Sequence, residues 1–364
     1  MRTNKNIISP LNVLSLFDGM ACGMIAFKNL GIPINNYYAY EIDKYCIQTV
    51  QHNFPEIQER GDVFEEDFTK YQGKIDIIIG GSPCTYWSIA KSADKRETVA
   101  SGEGWKLFSQ YIRALNEVKP KYFLYENNKS MSNAIRESIT AAFGFEPILI
   151  NSALVSAQNR ERLYWVGELQ EDGTYRQVNV KLPDDRGILL KDVLNGIRVP
   201  DYGKEDKSRV VSSSYSHKGD GEGSIKTDAF PDNPCKQKFD YVAIPLRDKA
   251  RCVLSSCGRT TTREFFKKHQ GDMVAEPVNS KTKDDKRTIY TVKDKYIKVK
   301  DKWYPVRLDD GEYYIRKLTV DEEKSLQTIP DWYEFPVSNS RAYAMIGNGW
   351  TVDVISHILS FMFN

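Results

Sequence analysis

The chain has 364 residues, of which 41% are hydrophobic and 27% charged, with a formal net charge of +2. This balance excludes a disordered tail-like protein, and no apolar run approaches the ~18 residues of a spanning helix. The length admits two domains, or one large domain carrying an insertion.

In chain order, LNVLSLF (11–17) reads as a buried strand and CGMIAFKNLG (22–31) as a helix closed by glycine. YYAYEI (37–42) predicts a second strand, followed by a helix over KYCIQTVQHNF (44–54). IDIIIGG (75–81) and KYFLYEN (121–127) predict further strands, with a helix over 104–118 between them. A helix over 134–144 precedes strand-like EPILINSA (146–153) and RLYWVG (162–167). Strands alternating with helices predict a mainly parallel sheet covered on both faces, with ligands beyond the carboxyl ends of its strands.

After about residue 190 the pattern changes. SSSYSHKGDGEGS (212–224) is a polar, glycine-rich loop, and 288–308 alternates apolar and charged residues as antiparallel ribbons do. LTVDEEKSLQTI (318–329) predicts a helix with Thr319 as N-cap and Glu322 three residues on. TVDVISHILSFMF (351–363) reads as a closing amphipathic helix. Residues 191–315 hold 26 Lys/Arg against 20 Asp/Glu, whereas the rest holds 25 against 29. A middle segment more basic than its flanks suits a polyanion, though a solvated lysine-rich face has the same composition.

The start MRTNKNIISP lacks the apolar middle of a secretory signal, so an intracellular protein is expected. Six cysteines (Cys22, Cys46, Cys84, Cys235, Cys252, Cys257) show neither paired metal spacing nor a disulfide framework, so free thiols and no metal are expected.

Several residues sit where chemistry is done. Gly19 and Gly23 flank the first strand-to-helix turn, where backbone can approach a ligand and a helix N-terminus offers N–H groups. Glu41 ends the second strand, placed to accept from both ribose hydroxyls of a nucleoside cofactor, and Asp67 can receive an adenine amino group. Cys84 follows Pro83 at the tip of the third apolar run, positioned like a nucleophile. Glu126 ends another strand beside it, where burial can tune a carboxyl to donate a proton. Arg160 and Arg162 share one face if extended, and can hold a phosphate or a carbonyl oxygen. Taken singly, each of these also fits a structural thiol, a turn acid or an exposed charged edge.

In order along the chain, FDGMACG, YEID, GGSPC, YENN, QNRERLYWVG, RKLTVDEEKSLQTIPDWY and GNGWTVDVI resemble the motifs of DNA (cytosine-5)-methyltransferases. The resemblance covers residues 11–167 and 316–363 and points to the bacterial and phage type, with wording near that of animal de novo enzymes. It implies a Rossmann-like α/β S-adenosylmethionine-dependent methyltransferase sheet with a smaller β-rich target-recognition domain. The implied division is 1–190 for catalysis and cofactor, 191–315 for target recognition, and 316–364 for a return to the first domain.

The resemblance further implies that Phe17, Asp18, Gly19 and Gly23 line the S-adenosylmethionine pocket, with Pro83, Asn348 and Val352 completing it. Glu41 would hold the ribose, Ile42 would lie against adenine, and Asp67 with Phe68 would stand near its amino group. Cys84 would attack carbon 6 of a flipped-out cytosine. Glu126 would bond ring N3 and the exocyclic amine, Arg162 would hold the base carbonyl, and Arg160 would support it or contact phosphate. The middle domain would read duplex DNA from the major groove, with Arg259, Thr261 and Arg263 as candidate contacts. The expected protein is a monomer in the cytoplasm or, in a bacterium, the nucleoid, with double-stranded DNA as partner and no membrane association. Thr85, Asn128, Gly349 and Trp350 depart from the usual wording of these motifs. Two competing functions remain on sequence alone: an RNA (tRNA) cytosine-5 methyltransferase, and a catalytically inactive DNA-binding regulator.

Overall fold

The computed structural model describes residues 9–88, 94, 96–194, 250, 261–262, 266, 273–278, 286–306 and 308–363. The first part runs β1 (Leu11–Leu16), α1 (Cys22–Leu30), β2 (Ile34–Tyr40), α2 (Lys44–Asn53) and a short β3 (Gln58–Glu59). It continues through β4 (Ile77–Gly80), α3 (Gly102–Val118), β5 (Tyr122–Asn128), α4 (Asn133–Phe143), β6 (Ile148–Asn151), β7 (Glu161–Leu169) and β8 (Tyr175–Gln177). A single turn, α5 (Leu190–Val193), follows.

These strands form one sheet in the order β3-β2-β1-β4-β5-β7-β6, with β8 added to β7. From β3 to β5 every pairing is parallel, as expected from the alternation of strands and helices. β7 alone among them is reversed, pairing antiparallel with β5, β6 and β8. The period of two sends Val13, Ile77 and Ile79 into a core shared with α1, and Leu14, Leu16 and Ile78 into one shared with α3 and α4. With both faces buried, these strands read as continuous apolar runs rather than alternating ones.

The strand order reverses between β1 and β4, because the chain first builds outward through β2 and β3 and then returns to the other side of β1. The crevice beyond the carboxyl ends of β1 and β4 is therefore the topological switch point, where such sheets bind ligands.

A second, antiparallel sheet has the order β12-β11-β10-β13-β9. It comprises β9 (Met273–Pro277), β10 (Ile289–Lys293), β11 (Tyr296–Val299), β12 (Lys302–Pro305) and β13 (Gly311–Lys317), and it has its own core around Phe266, Met273, Val292 and Ile297. The ribbons expected over 288–308 are its β10, β11 and β12. The loop 212–224 lies outside the described residues, as do Arg259, Arg263, Cys235, Cys252 and Cys257.

The chain then returns to the first sheet through α6 (Val320–Leu326), α7 (Asn339–Asn348) and α8 (Val352–Phe363). The expected capping box closes α6: Glu322 N–H donates to Thr319 Oγ1 at 3.1 Å, and Thr319 N–H to Glu322 Oε2 at 2.8 Å. Arg316, on β13, grips the same glutamate through both terminal nitrogens at 2.7 and 2.8 Å and donates to Glu276 of β9 at 2.6 Å. This bidentate pairing fixes the second sheet to the start of the returning segment. α8 packs its apolar face with α1 in the first core. No described helix is long and apolar enough to cross a membrane.

Candidate active site

β1 opens into a turn in which Phe17, Gly19 and Ala21 adopt φ of +57°, +62° and +56°. A bulky residue such as Phe17 in the left-handed region is strained, and such strain gathers at ligand-binding turns. Space is open where a Cβ on Gly19 would lie. Gly23 serves packing instead: a Cβ there would stand 2.2 Å from Ile79 Cδ1 and 3.1 Å from the Tyr37 hydroxyl, so glycine lets α1 lie close on β4.

Three carboxylates gather at this end of the sheet. Glu41, just beyond β2, accepts from the N–H groups of Gly19 at 2.9 Å and of Ile42 and Asp43 at 2.8 Å each. It thereby ties the β1–α1 turn to the end of β2. Asp18 Oδ1 accepts from the hydroxyls of Ser15 and Tyr37, while its Oδ2 is buried without a hydrogen-bond partner. Burial pushes the Asp18 carboxyl up to about 6, against the pull of those two hydroxyls and with some help from the Glu41 charge. Glu59, on β3, has both carboxylate oxygens buried and without partners; burial, then the charges of Asp18 and Glu41, push it up to about 8. Sequence reasoning missed Glu59, because a two-residue strand leaves no apolar run to mark it.

On the other side of the switch point, β4 ends in Gly80 and the chain runs through Gly81, Ser82 and Pro83 to Cys84, the first residue of a short 3-10 turn (Cys84–Tyr86). Cys84 is half-buried, whereas Thr85 is exposed and Trp87 wholly buried. The Cys84 carbonyl accepts from the N–H groups of Trp87 and Ser88 at 3.0 and 2.9 Å. Trp87 Nε1 in turn donates to Glu97 Oε2 at 3.1 Å, and Glu97 also accepts from Glu103 N–H at the start of α3. The turn that carries the thiol is thus anchored from below, and the residue after it faces out.

Glu126, near the end of β5, presents its carboxylate to the loop that leads into this turn. A Cβ on Gly81 would stand 3.1 Å from Glu126 Oε2 and 2.7 Å from the Glu126 carbonyl oxygen, so the second glycine of GGSPC permits that approach. Asn127 is buried and donates through Nδ2 to the Ser82 carbonyl at 3.1 Å; the Ser82 hydroxyl meets Tyr125 at 2.7 Å. Asn128, where an apolar residue is usual in the motif, is also buried and accepts from the Ser130 hydroxyl at 2.9 Å. Arg162 on β7 is the diagonal neighbour of Glu126 across the β5–β7 pair, and its Nε lies 3.1 Å from Glu126 Oε1. The other oxygen, Oε2, accepts from the Trp350 indole at 2.9 Å.

Arg160 is turned away from this group. Its Nη2 donates to the carbonyls of Gly347 and Gly349 at 3.1 and 2.8 Å, so it braces the α7–α8 turn from the buried interior. Asn348 is exposed at the end of α7, whereas Val352 is wholly buried at the start of α8. Ile42, 73% exposed, projects from the end of β2. Pro83 is exposed. Asp67 gives its carboxylate to Thr69, and Phe68 is wholly buried beneath the Arg113 guanidinium, 4.7 Å from its ring. Asp62, three residues beyond β3 in the sequence, likewise caps its own turn, its carboxylate accepting from Phe64 N–H at 2.9 Å. Thr261 is exposed.

The sheet order and the strained turn after β1 define a Rossmann-like α/β fold of the kind found in S-adenosylmethionine-dependent methyltransferases. The family of C-5 cytosine-specific DNA methylases matches residues 11–364, and the chain belongs to it. The orphan methyltransferase M.Rho11sI of Bacillus phage rho11s is 35% identical over 177 residues, covering 45% of this chain and 34% of that protein. This chain therefore spans about a third of that phage relative's length. The type II methyltransferase M.HpaII of Haemophilus parainfluenzae is 25% identical over 371 residues, 97% of this chain and 89% of that one. Among solved structures, the Entamoeba histolytica methyltransferase EhMeth superposes with a TM-score of 0.62 at 15% identity, covering 97% of this chain and 98% of that one. A putative DNA modification methyltransferase encoded within an E. coli prophage gives 0.53 at 20% identity, with 97% and 98% covered. At these identities the likeness is one of fold.

Proposed function

We propose that this chain transfers a methyl group from S-adenosylmethionine to carbon 5 of a flipped-out cytosine in a specific duplex DNA sequence. The observation that carries this reading is the Cys84 thiol on the loop that leaves β4, whose Gly81 lies against the Glu126 carboxylate that Arg162 holds. Cys84, as thiolate, adds to carbon 6 of the base and pushes electron density toward carbon 5. Glu126, taking up a proton as the base binds, hydrogen-bonds ring N3 through that O–H and accepts from the exocyclic amine with its other oxygen, which favours that build-up of charge. Arg162 reaches the base carbonyl oxygen. Carbon 5 then takes the methyl group, leaving S-adenosylhomocysteine; water removes the carbon-5 proton, and the electron pair of that C–H bond re-forms the 5,6 double bond as the Cys84 thiolate leaves carbon 6. Positioning dominates such a transfer between two bound partners, which accounts for the many braces around the thiol and the acid.

The residues around the β1–α1 turn fit S-adenosylmethionine, which supplies an activated methyl group on a sulfonium. The unpartnered, buried Asp18 Oδ2 and the open space at Gly19 suit a cationic ligand in close contact with backbone. Glu41 Oε2 carries one backbone donor and keeps a lone pair for a ribose hydroxyl, and exposed Ile42 offers an apolar face to adenine. Asp62 is a candidate for the adenine amino group beside Asp67. The surplus of positive charge over 191–315 supports that segment as the DNA-reading domain, with Arg259, Thr261 and Arg263 as candidate contacts.

The test is transfer of label from S-adenosylmethionine to duplex DNA or to tRNA, by wild type and Cys84→Ala. Label on DNA that vanishes in the variant is expected; label on tRNA alone, or an alanine variant as active as wild type, overturns the reading. Bisulfite sequencing of the product gives the recognition sequence.

A further inference from the structure

Trp350 lies in a turn that is clamped from both sides. Besides Arg160, Gln327 donates through Nε2 to the carbonyls of Ile346 and Gly349 at 2.8 and 3.2 Å. Gln327 Oε1 accepts from the Thr351 hydroxyl at 2.7 Å, and Gln327 itself is wholly buried. The backbone N–H of Trp350 is directed at the Cys22 sulfur at the start of α1, and a Cβ on the preceding Gly349 would stand 3.2 Å from that sulfur. The backbone is therefore fixed against the cofactor-side turn, while the indole crosses to Glu126 Oε2, the oxygen that faces Gly81. Arg162 and Trp350 thus hold one carboxylate oxygen each, from a strand beside it and from a turn 224 residues further on.

We propose that Trp350 is a positioning residue, whose indole N–H fixes the plane of the Glu126 carboxylate against the Gly81 loop that leads to Cys84 and so sets the rate of the chemical step. This rests on the function proposed above. Arg162 alone leaves the carboxylate free to turn about its own Cγ–Cδ bond; a second donor on the other oxygen removes that freedom. The plane decides whether the carboxyl meets the edge of a base that is itself held at the thiol.

Trp350→Phe keeps the ring and deletes the N–H. The expected result is a kcat about tenfold to a hundredfold lower, the loss typical of one hydrogen bond to a charged group. Covalent trapping on 5-fluorocytosine DNA should slow in parallel. The Kd for S-adenosylmethionine should change by much less than kcat, because the deleted N–H is bonded to Glu126 and the ring itself is kept. A kcat within about twofold of wild type overturns the proposal, and so does a cofactor affinity that falls by the same factor as kcat, since Trp350 would then act as a pocket wall. A second measurement needs no activity. In protein labelled with 15N-tryptophan, the Trp350 indole N–H resonance should move on Glu126→Ala, and an unmoved resonance removes the hydrogen bond on which the proposal stands. A moved resonance in a protein that methylates neither DNA nor tRNA would overturn the assigned reaction and leave the contact in place.

Discussion

Asn127 of β5 donates from its buried side-chain amide to the Ser82 carbonyl, 3.1 Å away on the loop that leads to Cys84. Its Oδ1 accepts from the N–H of Asn128 at 2.8 Å, so the amide is occupied at both ends. Asn127→Ala strands a buried carbonyl and loosens the Gly81–Cys84 loop relative to β5. A cost of about 1–3 kcal/mol is expected, the usual penalty for an unsatisfied buried polar group. Kinetics should show a larger fall in kcat than in cofactor affinity, because the tether joins thiol to acid. Equal losses in both, or an unchanged urea midpoint, would show that the tether does not hold the loop.

Gly81→Ala places a methyl group 2.7 Å from a backbone oxygen of β5 and 3.1 Å from the Glu126 carboxylate. The backbone cannot yield without distorting the β4–β5 pair, so overpacking of about 1–3 kcal/mol is expected. Activity should fall further than stability does, since the carboxylate is the softer of the two obstacles and will be displaced. A variant with full activity and an unchanged melting temperature would refute this.

The Asp18 carboxyl, raised to about 6 from an ordinary 3.8, binds its proton more tightly in the folded chain than in the unfolded one. Its contribution therefore favours the fold at low pH and is lost as pH rises through about 4 to 6. At about 1.4 kcal/mol per pH unit, the ionised group costs up to about 3 kcal/mol above that window. Asp18→Asn should accordingly gain stability over wild type at pH 7.5 and little at pH 4, read as the difference between their melting temperatures. Parallel curves across that range would sink the prediction. The same variant should bind S-adenosylmethionine more weakly.

Burial pushes the Cys22 thiol up to about 12, and burial followed by the neighbouring carboxylates pushes Cys46 higher still. Both are held as unreactive thiols in the native chain. Brief alkylation of folded protein at pH 8, followed by peptide mapping, should label the Cys84 peptide ahead of those of Cys22 and Cys46. Labelling of either at the rate of Cys84 would contradict this.

The parts of the site legible in the sequence are those fixed by strand ends. Glu41, Cys84 and Glu126 each close an apolar run, and a parallel sheet carries the ends of β2, β4 and β5 to one side. The direction of β7 was not legible, because RLYWVG is buried whichever way it runs. Phe68, named from the family resemblance alone, has its ring in the core beneath α3, a burial that no local pattern around it signals. The roles of Arg160 and Trp350 depend on contacts across 187 to 224 residues, beyond any local pattern. Trp350 was visible only as a departure from a common wording, and the structure gives that departure a partner.

The returning segment also sets an order of assembly. Cys84, Glu126 and Arg162 all leave the ribosome before residue 170, yet the donor to Glu126 Oε2 and the carbonyls gripped by Arg160 belong to residues 347–350. A nascent chain bears these side chains long before it bears the turn that contacts them. Until that turn is made, Arg160 is a cation without the carbonyls it grips in the finished fold, and the acid is held by one hand.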